Sequence, residues 1–175
     1  TLLVDTQRPC IDIRGRPQVP VQIILGLFVP YKIIVRREPN AFVKSQAHLF
    51  KAGMDVLSIA DGEGRNGVYV ARQGANVTSV DFSEAAQEKA RGIADEHGVE
   101  VTFEQRDVYN WDDVTGDFDV VLAIFIQFAP PEKRGKLFED IKRLVKPGGL
   151  VMSEYLRIGR IRTRLLVSFL ALINT

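Results

Sequence analysis

From residue 54 to residue 155, short apolar runs and amphipathic helical stretches take turns, and this alternation constrains the fold more than any other feature. Residues 54–59 (MDVLSI) read as a strand leading into ADGEGRNG. Residues 65–73 carry apolar Val68, Val70 and Ala71, and Gly74 sits where a helix C-cap is wanted. Residues 75–80 (ANVTSV) are a β-branched run ending at Asp81. Ser83 is a good N-cap for a helix over Glu84–His97, with Gly98 at its end. Residues 99–105 alternate as a strand does, and residues 117–125 (DFDVVLAIF) are nearly all apolar, as a strand buried on both faces requires. Pro130 and Pro131 open a helix with apolar Leu137, Phe138, Ile141, Leu144 and Val145, closed by Lys146-Pro147-Gly148-Gly149. Residues 150–155 supply a fifth strand. Strands alternating with helices predict an α/β fold with a doubly wound, mainly parallel sheet.

Sheets of this kind bind ligands at the carboxyl ends of their strands, near the reversal in strand order. The loop after the first strand is therefore the place to look. Gly62, Gly64 and Gly67 match G-x-G-x-x-G, and Asp81 follows Gly62 by 19 residues, at the end of the second strand. As a pattern this is the dinucleotide fingerprint, although a tight strand-to-helix turn needs glycine for backbone reasons alone. The order strand, loop, helix, strand and acid favours an adenosine-type ligand. Charge then bears on which one. A pyrophosphate must sit against the helix N-terminus, and this loop contains Asp61 and Glu63. Two like charges about 6 Å apart repel by roughly 2–3 kcal/mol at an effective dielectric near 20. Unless both acids point outward, a ligand with a sulfonium and an ammonium group suits the loop better, which favours S-adenosylmethionine over NAD.

Composition excludes several other classes. With 175 residues, 46% of them apolar and 26% charged, the chain reads as a single soluble globular domain. The one cysteine, Cys10, rules out a disulfide framework and a cysteine-based zinc site, and His48 and His97 lie far apart without ligand spacing, so no metal is expected. The net charge of +1 is unevenly spread: residues 1–37 and 156–175 each carry +4, and residues 38–155 carry −7. An acidic body argues against nucleic acid, whose phosphates need a basic face. Residues 19–35 are strongly apolar but interrupted by Pro20, Pro30 and Lys32, so they make neither a spanning helix nor a signal peptide. In the last 20 residues Arg157, Arg160, Arg162 and Arg164 precede LLVSFLALI, too short to span a bilayer, and the segment reads as a partly buried helix or edge strand. A cytoplasmic location without a membrane span is expected.

VLSIADGEGRNGVYVARQGANVTSVDFSEAAQEKA, followed by RDVYNW, DFDVVLAIF and LVKPGGLV, resembles the class I S-adenosylmethionine-dependent methyltransferases, most of all the small bacterial tellurite-resistance and thiopurine methyltransferase type. The resemblance covers residues 38–155, about two-thirds of the chain, and implies a Rossmann-like methyltransferase domain between an atypical arm (1–37) and an atypical basic, apolar tail (156–175). Residues 58–64 stand where the family has D-x-G-x-G-x-G, with Ser58 in place of the acid and Ala60 in place of the first glycine. It implies that Ala60, Asp61, Gly62, Gly64 and Asn66 form the cofactor loop, that Asp81 binds both ribose hydroxyls with Phe82 beside the adenine, and that Asp107 and the N–H of Val108 meet the adenine ring. Ala123, Ile124 and Phe125 would lie under the methionine and adenosine parts. Glu38-Pro39-Asn40-Ala41-Phe42 resembles the family's entry into the first helix, which borders the active site. The tail is too short for the helix and β-hairpin that complete the family's sheet, so the hairpin is expected to be missing and the fifth strand to be an exposed edge. The change of charge at both junctions reads as a truncated chain or one whose ends are in a shifted frame.

The implied reaction is methyl transfer from S-adenosylmethionine to a small-molecule acceptor, an in-line displacement in which positioning supplies much of the acceleration. No residue is singled out as catalytic. Gln127, Phe128, Glu154 and Tyr155 stand near the expected site and have structural roles as their simpler explanation. His97 reads as a helix C-terminal residue, His48 as a helix-surface residue and Trp111 as a packing anchor. The alternatives are a non-catalytic or truncated relative that binds the cofactor weakly or not at all, and an NAD-dependent oxidoreductase, which leaves Asp107 unexplained and conflicts with Asp61 and Glu63.

Overall fold

The computed structural model describes residues 10–11, 17–18, 38–114, 116–156 and 162–168. The chain divides into two units, Thr1–Val35 and Arg36–Thr175. In the first, β1 (Cys10–Ile11) pairs antiparallel with β2 (Pro17–Gln18). Residues 19–35, with their proline-broken apolar run, lie outside the described residues.

The second unit follows the alternation in the sequence. Its elements are α1 (Ala41–Ser45), a 3-10 turn (Ala47–Leu49), β3 (Asp55–Ile59), α2 (Arg65–Ala71), β4 (Asn76–Asp81), α3 (Glu84–His97) and β5 (Thr102–Gln105). After these come β6 (Phe118–Ile124), a second 3-10 turn (Ile126–Phe128), α4 (Pro131–Leu144), β7 (Val145–Leu156) and β8 (Arg162–Ser168). They form one sheet in the order β5-β4-β3-β6-β7-β8. The first five strands in that order are mutually parallel, and β8 is antiparallel to β7. Strand order reverses between β3 and β6, the place at which a doubly wound sheet opens a crevice.

Successive residues of the central strands feed opposite faces, the period-two rule for strands. Leu57, Ile59, Val121, Ala123 and Val151 enter one core with Leu137, Ile141 and Leu144 of α4 and with Trp111. Val56, Val120, Leu122, Ile124 and Met152 enter the other, with Phe42, Val43 and Phe50 at the entry segment and Val70 and Ala71 of α2. Each such buried aliphatic side chain contributes about 1.5–3 kcal/mol. On the α4 stripe Leu137, Ile141 and Leu144 are at most 1% exposed, whereas Phe138, expected in the same stripe, is 39% exposed. It lies one residue past Leu137, which turns it off the buried face.

Three boundaries differ from expectation. The expected strand over 99–105 starts at Thr102, because Val99 and Val101 pack as partly buried side chains against the α2 and α3 clusters instead of pairing. Helix α4 stops at Leu144, and Val145 already pairs with Phe118. Register then jumps to Val120 with Leu150, leaving Lys146-Pro147-Gly148-Gly149 as a bulge inside β7 rather than a helix terminator. A Cβ on Gly149 would stand 2.8 Å from the carbonyl oxygen of Asp119, so only glycine lets the two chains approach there. Finally, the fifth parallel strand is not the sheet edge. Arg162–Ser168 covers it from Leu150 to Leu156, so the tail supplies an antiparallel edge strand directly after β7.

Candidate functional site

Four strand ends meet at one crevice. Ala60 and Asp61 follow β3, Asp81 and Phe82 close β4, Asp107 and Val108 follow β5, and Ile124 and Phe125 close β6. Together with Arg65, Asn66, Tyr109 and Phe128 they line a cleft of about 550 Å³.

The loop between β3 and α2 is held in an unusual shape. Ala60, Gly62 and Gly64 all have left-handed backbone, with φ of +51°, +60° and +77°. Alanine accepts that region only at a cost of order 1 kcal/mol, and Ala60 is kept there by the chain running from β3 into a bond in which the Asp61 N–H donates to Val80 O at 3.1 Å. Gly64 caps α2 and rests against α3, where an added Cβ would be 2.6 Å from the Ala90 Cβ. The carboxylate of Asp81 accepts the Gly62 N–H at 2.8 Å through Oδ2 and the Ser83 N–H at 2.8 Å through Oδ1. It is thereby fixed at the β4 tip with a second lone pair on each oxygen left over.

Asp61 turns inward. Its Oδ2 accepts from the Gly67 N–H and from Ser79 Oγ, both at 3.0 Å, while its buried Oδ1 has no hydrogen-bond partner among the described residues. Burial pushes this carboxyl up to about 6, even though the Ser79 hydroxyl and the Gly67 N–H pull it down; the charge of Asp81 adds to the rise. Glu63, the other acid of the loop, pairs with Lys89 at 2.8 Å. Of the two acids expected to repel a pyrophosphate at the helix N-terminus, Glu63 is thus neutralised by its pairing with Lys89, and Asp61 is held inward by Gly67 and Ser79. Among the described residues the charged side chains that line the cleft are those of Asp61, Asp81, Asp107 and Arg65.

Beyond β5, Asp107 Oδ1 accepts from the Tyr109 N–H at 3.0 Å, and Val108 O accepts from Trp111 Nε1 at 2.6 Å. The N–H of Val108 donates to no other described residue. Trp111 is buried to 1%, a packing anchor whose indole fixes the carbonyl of a cleft residue. Phe82 and Phe128 are the conspicuous exposed aromatics, at 72% and 55%.

Nine of the sequence-expected residues meet here: Ala60, Asp61, Asn66, Asp81, Phe82, Asp107, Val108, Ile124 and Phe125. Three do not line the cleft. Ala123 is fully buried and faces the α4 core, because it alternates with Ile124 along β6. Gly62 and Gly64 shape the loop and its packing from behind. Arg65 and Tyr109 line the cleft without having been expected; each directly follows a recognised motif, the second glycine for one and Asp107-Val108 for the other. Glu154, at the end of β7, is fully buried and bonds to Asn40. His48 and His97 are exposed, and the side chains of Gln127 and Tyr155 lie outside the described residues.

Comparison with known proteins agrees with this geometry. The family described as "Methyltransferase domain" matches residues 56–149, from the start of β3 into β7 and through every element of the cleft. The chain belongs to this methyltransferase family. The methyltransferase domain is 37% identical over 101 residues to the ubiquinone biosynthesis O-methyltransferase of Pseudomonas aeruginosa (strain UCBPP-PA14), covering 57% of this chain and 43% of that protein. It therefore spans less than half the length of that relative. Solved structures share its fold, and two of them overlap it moderately. TehB from Haemophilus influenzae has a TM-score of 0.58 at 19% identity, covering 64% of this chain and 39% of the other. The magnesium protoporphyrin IX methyltransferase (ChlM) from Synechocystis PCC 6803 with bound SAM has a TM-score of 0.56 at 21% identity, covering 67% and 55%. Among the described residues of the methyltransferase, no helix is long and apolar enough to cross a membrane.

Proposed function

We propose that this methyltransferase domain binds S-adenosylmethionine in the cleft at the β3–β6 reversal and transfers its methyl group to a small-molecule acceptor in the cytoplasm. The observation that carries the reading is the carboxylate of Asp81, held by the Gly62 and Ser83 N–H groups at the β4 tip so that it faces a cleft lined by Asp107 and Val108. The donor set fits such a ligand. Three aspartates line the cleft, and among the described residues Asp61 keeps a buried oxygen without a partner, an arrangement that welcomes positive charge and opposes a pyrophosphate.

The cofactor, when bound, supplies a sulfonium-activated methyl group. Asp81 would accept from the two ribose hydroxyls, with its orientation set before binding. The N–H of Val108, which donates to no described residue, and the Oδ2 of Asp107, which the Tyr109 contact leaves available, would meet the adenine edge. Phe82 would cover the base, and Ala60, Asn66, Ile124 and Phe125 would shape the remainder. None of these groups acts as a nucleophile; they position the reacting atoms and exclude water.

The test is calorimetric titration of the chain with S-adenosylmethionine, S-adenosylhomocysteine and NADH, beside Asp81→Ala. Micromolar binding of the first two, lost in Asp81→Ala and not seen with NADH, is expected. Binding of NADH, or no binding of S-adenosylmethionine by a chain whose circular dichroism shows it folded, overturns the reading.

A further inference from the structure

A buried polar network lies behind the cleft and joins three elements far apart in sequence. Asn40, the N-cap of α1, is 5% exposed, Asn66 of α2 is 5% exposed, and Glu154 of β7 is fully buried. Hydrogen-bond chemistry fixes how each amide is turned. The Phe42 N–H donates to Asn40 Oδ1 at 2.7 Å, so the other end of that amide is its donor, and Asn40 Nδ2 donates to Glu154 Oε2 at 2.7 Å. The Asn40 N–H in turn donates to Asn66 Oδ1 at 2.9 Å. Asn66 lines the cleft, and with Oδ1 committed to Asn40 its Nδ2 donor is the end left for a ligand. Glu154 reaches the cleft by a second route: its backbone oxygen accepts the Phe125 N–H at 2.7 Å, and Phe125 is a lining residue with φ of +62°.

We propose that Asn40 and Glu154, neither of which lines the cleft, are positioning residues for cofactor binding, because their side-chain bond holds the α1 entry against Asn66 and so presents the Asn66 amide donor to the ligand. The inference rests on the S-adenosylmethionine reading above and adds to it a part of the chain outside the cleft. Burial makes the bond consequential, since a buried donor or acceptor that loses its partner bears the full cost of its desolvation.

The polarity of this bond can be reversed, which gives a test free of the ambiguity of a deletion. Asn40→Asp keeps the oxygen that caps Phe42, because aspartate caps as well as asparagine, but it replaces the donor toward Glu154 by a second carboxylate oxygen. If Asn40 only caps α1, this variant binds as the parent does. If it positions the site, its Kd for S-adenosylmethionine and S-adenosylhomocysteine rises about tenfold or more. Glu154→Gln alone keeps an oxygen to accept from Asn40 and loses less. In Asn40→Asp/Glu154→Gln the bond is restored with donor and acceptor exchanged, and the affinity returns toward that of the parent, a coupling that additive damage does not produce. Melting temperatures measured on the same four proteins separate affinity from stability. Parent-like binding by Asn40→Asp overturns the inference, as does a double variant no better than Asn40→Asp, whether through poor binding or failure to fold. A folded parent chain that binds neither ligand overturns the cofactor reading itself and this inference with it.

Discussion

Asp81 and Gly62 meet at 2.8 Å across 19 residues, carboxylate to backbone N–H, and this contact fastens the tip of β4 to the glycine loop after β3. The loop needs the fastening. Its backbone is left-handed at Ala60, Gly62 and Gly64, which the glycines accept freely and Ala60 only at a cost. The acid expected to receive a ribose is therefore also a strut of the loop beside it. Asp81→Asn retains the shape but leaves an amide NH₂ facing either Gly62 or Ser83. With a hydrogen bond to a charged acceptor worth about 1.5–3 kcal/mol, affinity for S-adenosylmethionine should fall about 10–100-fold in Asp81→Asn and further in Asp81→Ala, as read by calorimetry. Circular dichroism of both variants should remain that of the parent.

Gly64 tests the loop from its other side. A methyl group there would stand 2.6 Å from the Ala90 Cβ and 3.3 Å from its Cα, at a φ of +77°. Neither α2 nor α3 can move without opening the Val68–Ile93–Ala94 cluster between them. Gly64→Ala should destabilise the fold by about 2–4 kcal/mol, measured by urea unfolding. Adding Ala90→Gly should recover the steric part and leave the backbone part, so the double variant should fall between the two.

Much of this architecture was legible because its signals are local. Helix α3 begins and ends where Ser83 and Gly98 say it should: Ser83 Oγ accepts the Ala86 N–H and Gly98 takes a φ of +63°. Strand β6 was readable from its nearly continuous apolar run, since both faces are buried from Val120 to Ile124. What escaped depends on partners distant in sequence. The Lys146–Gly149 turn looks like a helix stop until β6 pairs with Val145 on one side of it and Leu150 on the other. Asp61 and Glu63 look equivalent in the string DGEG, yet Lys89, 26 residues away, draws one out while Ser79 and Gly67 draw the other in. The bond between Asn40 and Glu154 spans 114 residues, and no local pattern announces it.

Asp61 gives the site a pH signature. Its folded carboxyl holds a proton up to about pH 6, whereas in the unfolded chain it releases it near the ordinary value of 3.8. Between those values the folded state binds the additional proton, so this group's contribution to stability declines as pH rises from about 4 to 6. A difference of about two pH units corresponds to about 3 kcal/mol. Asp61→Asn lacks the titration. Urea unfolding of both proteins at pH 4 and pH 7 should therefore show their stability difference moving by about 2 kcal/mol in favour of Asp61→Asn at the higher pH, since at pH 4 the unfolded carboxyl is already partly ionised. A difference that stays constant would mean that Asp61 does not titrate from this buried position.

Phe82 separates binding from folding most cleanly. A side chain 72% exposed at the tip of β4 contributes little to the core, and its substitution by alanine should leave the melting temperature within about 1 °C of the parent. Its ring nevertheless borders the cleft between Asp81 and the neighbouring strand ends, where an adenine would stack. Stacking of an aromatic pair contributes about 0.5–1.5 kcal/mol beyond area burial, so Phe82→Ala should weaken S-adenosylmethionine about threefold to tenfold. Phe82→Tyr, which keeps the ring, should bind as the parent does. Trp111 provides the optical readout for the same titration. It is the chain's one tryptophan and its indole N–H is bonded to the carbonyl of Val108, so a ligand that engages the Val108 N–H should perturb its emission in the parent and in Phe82→Ala alike. Loss of affinity in Phe82→Ala with the emission change retained at saturation would place the lost contact at the aromatic face, whereas unchanged affinity would remove Phe82 from the site.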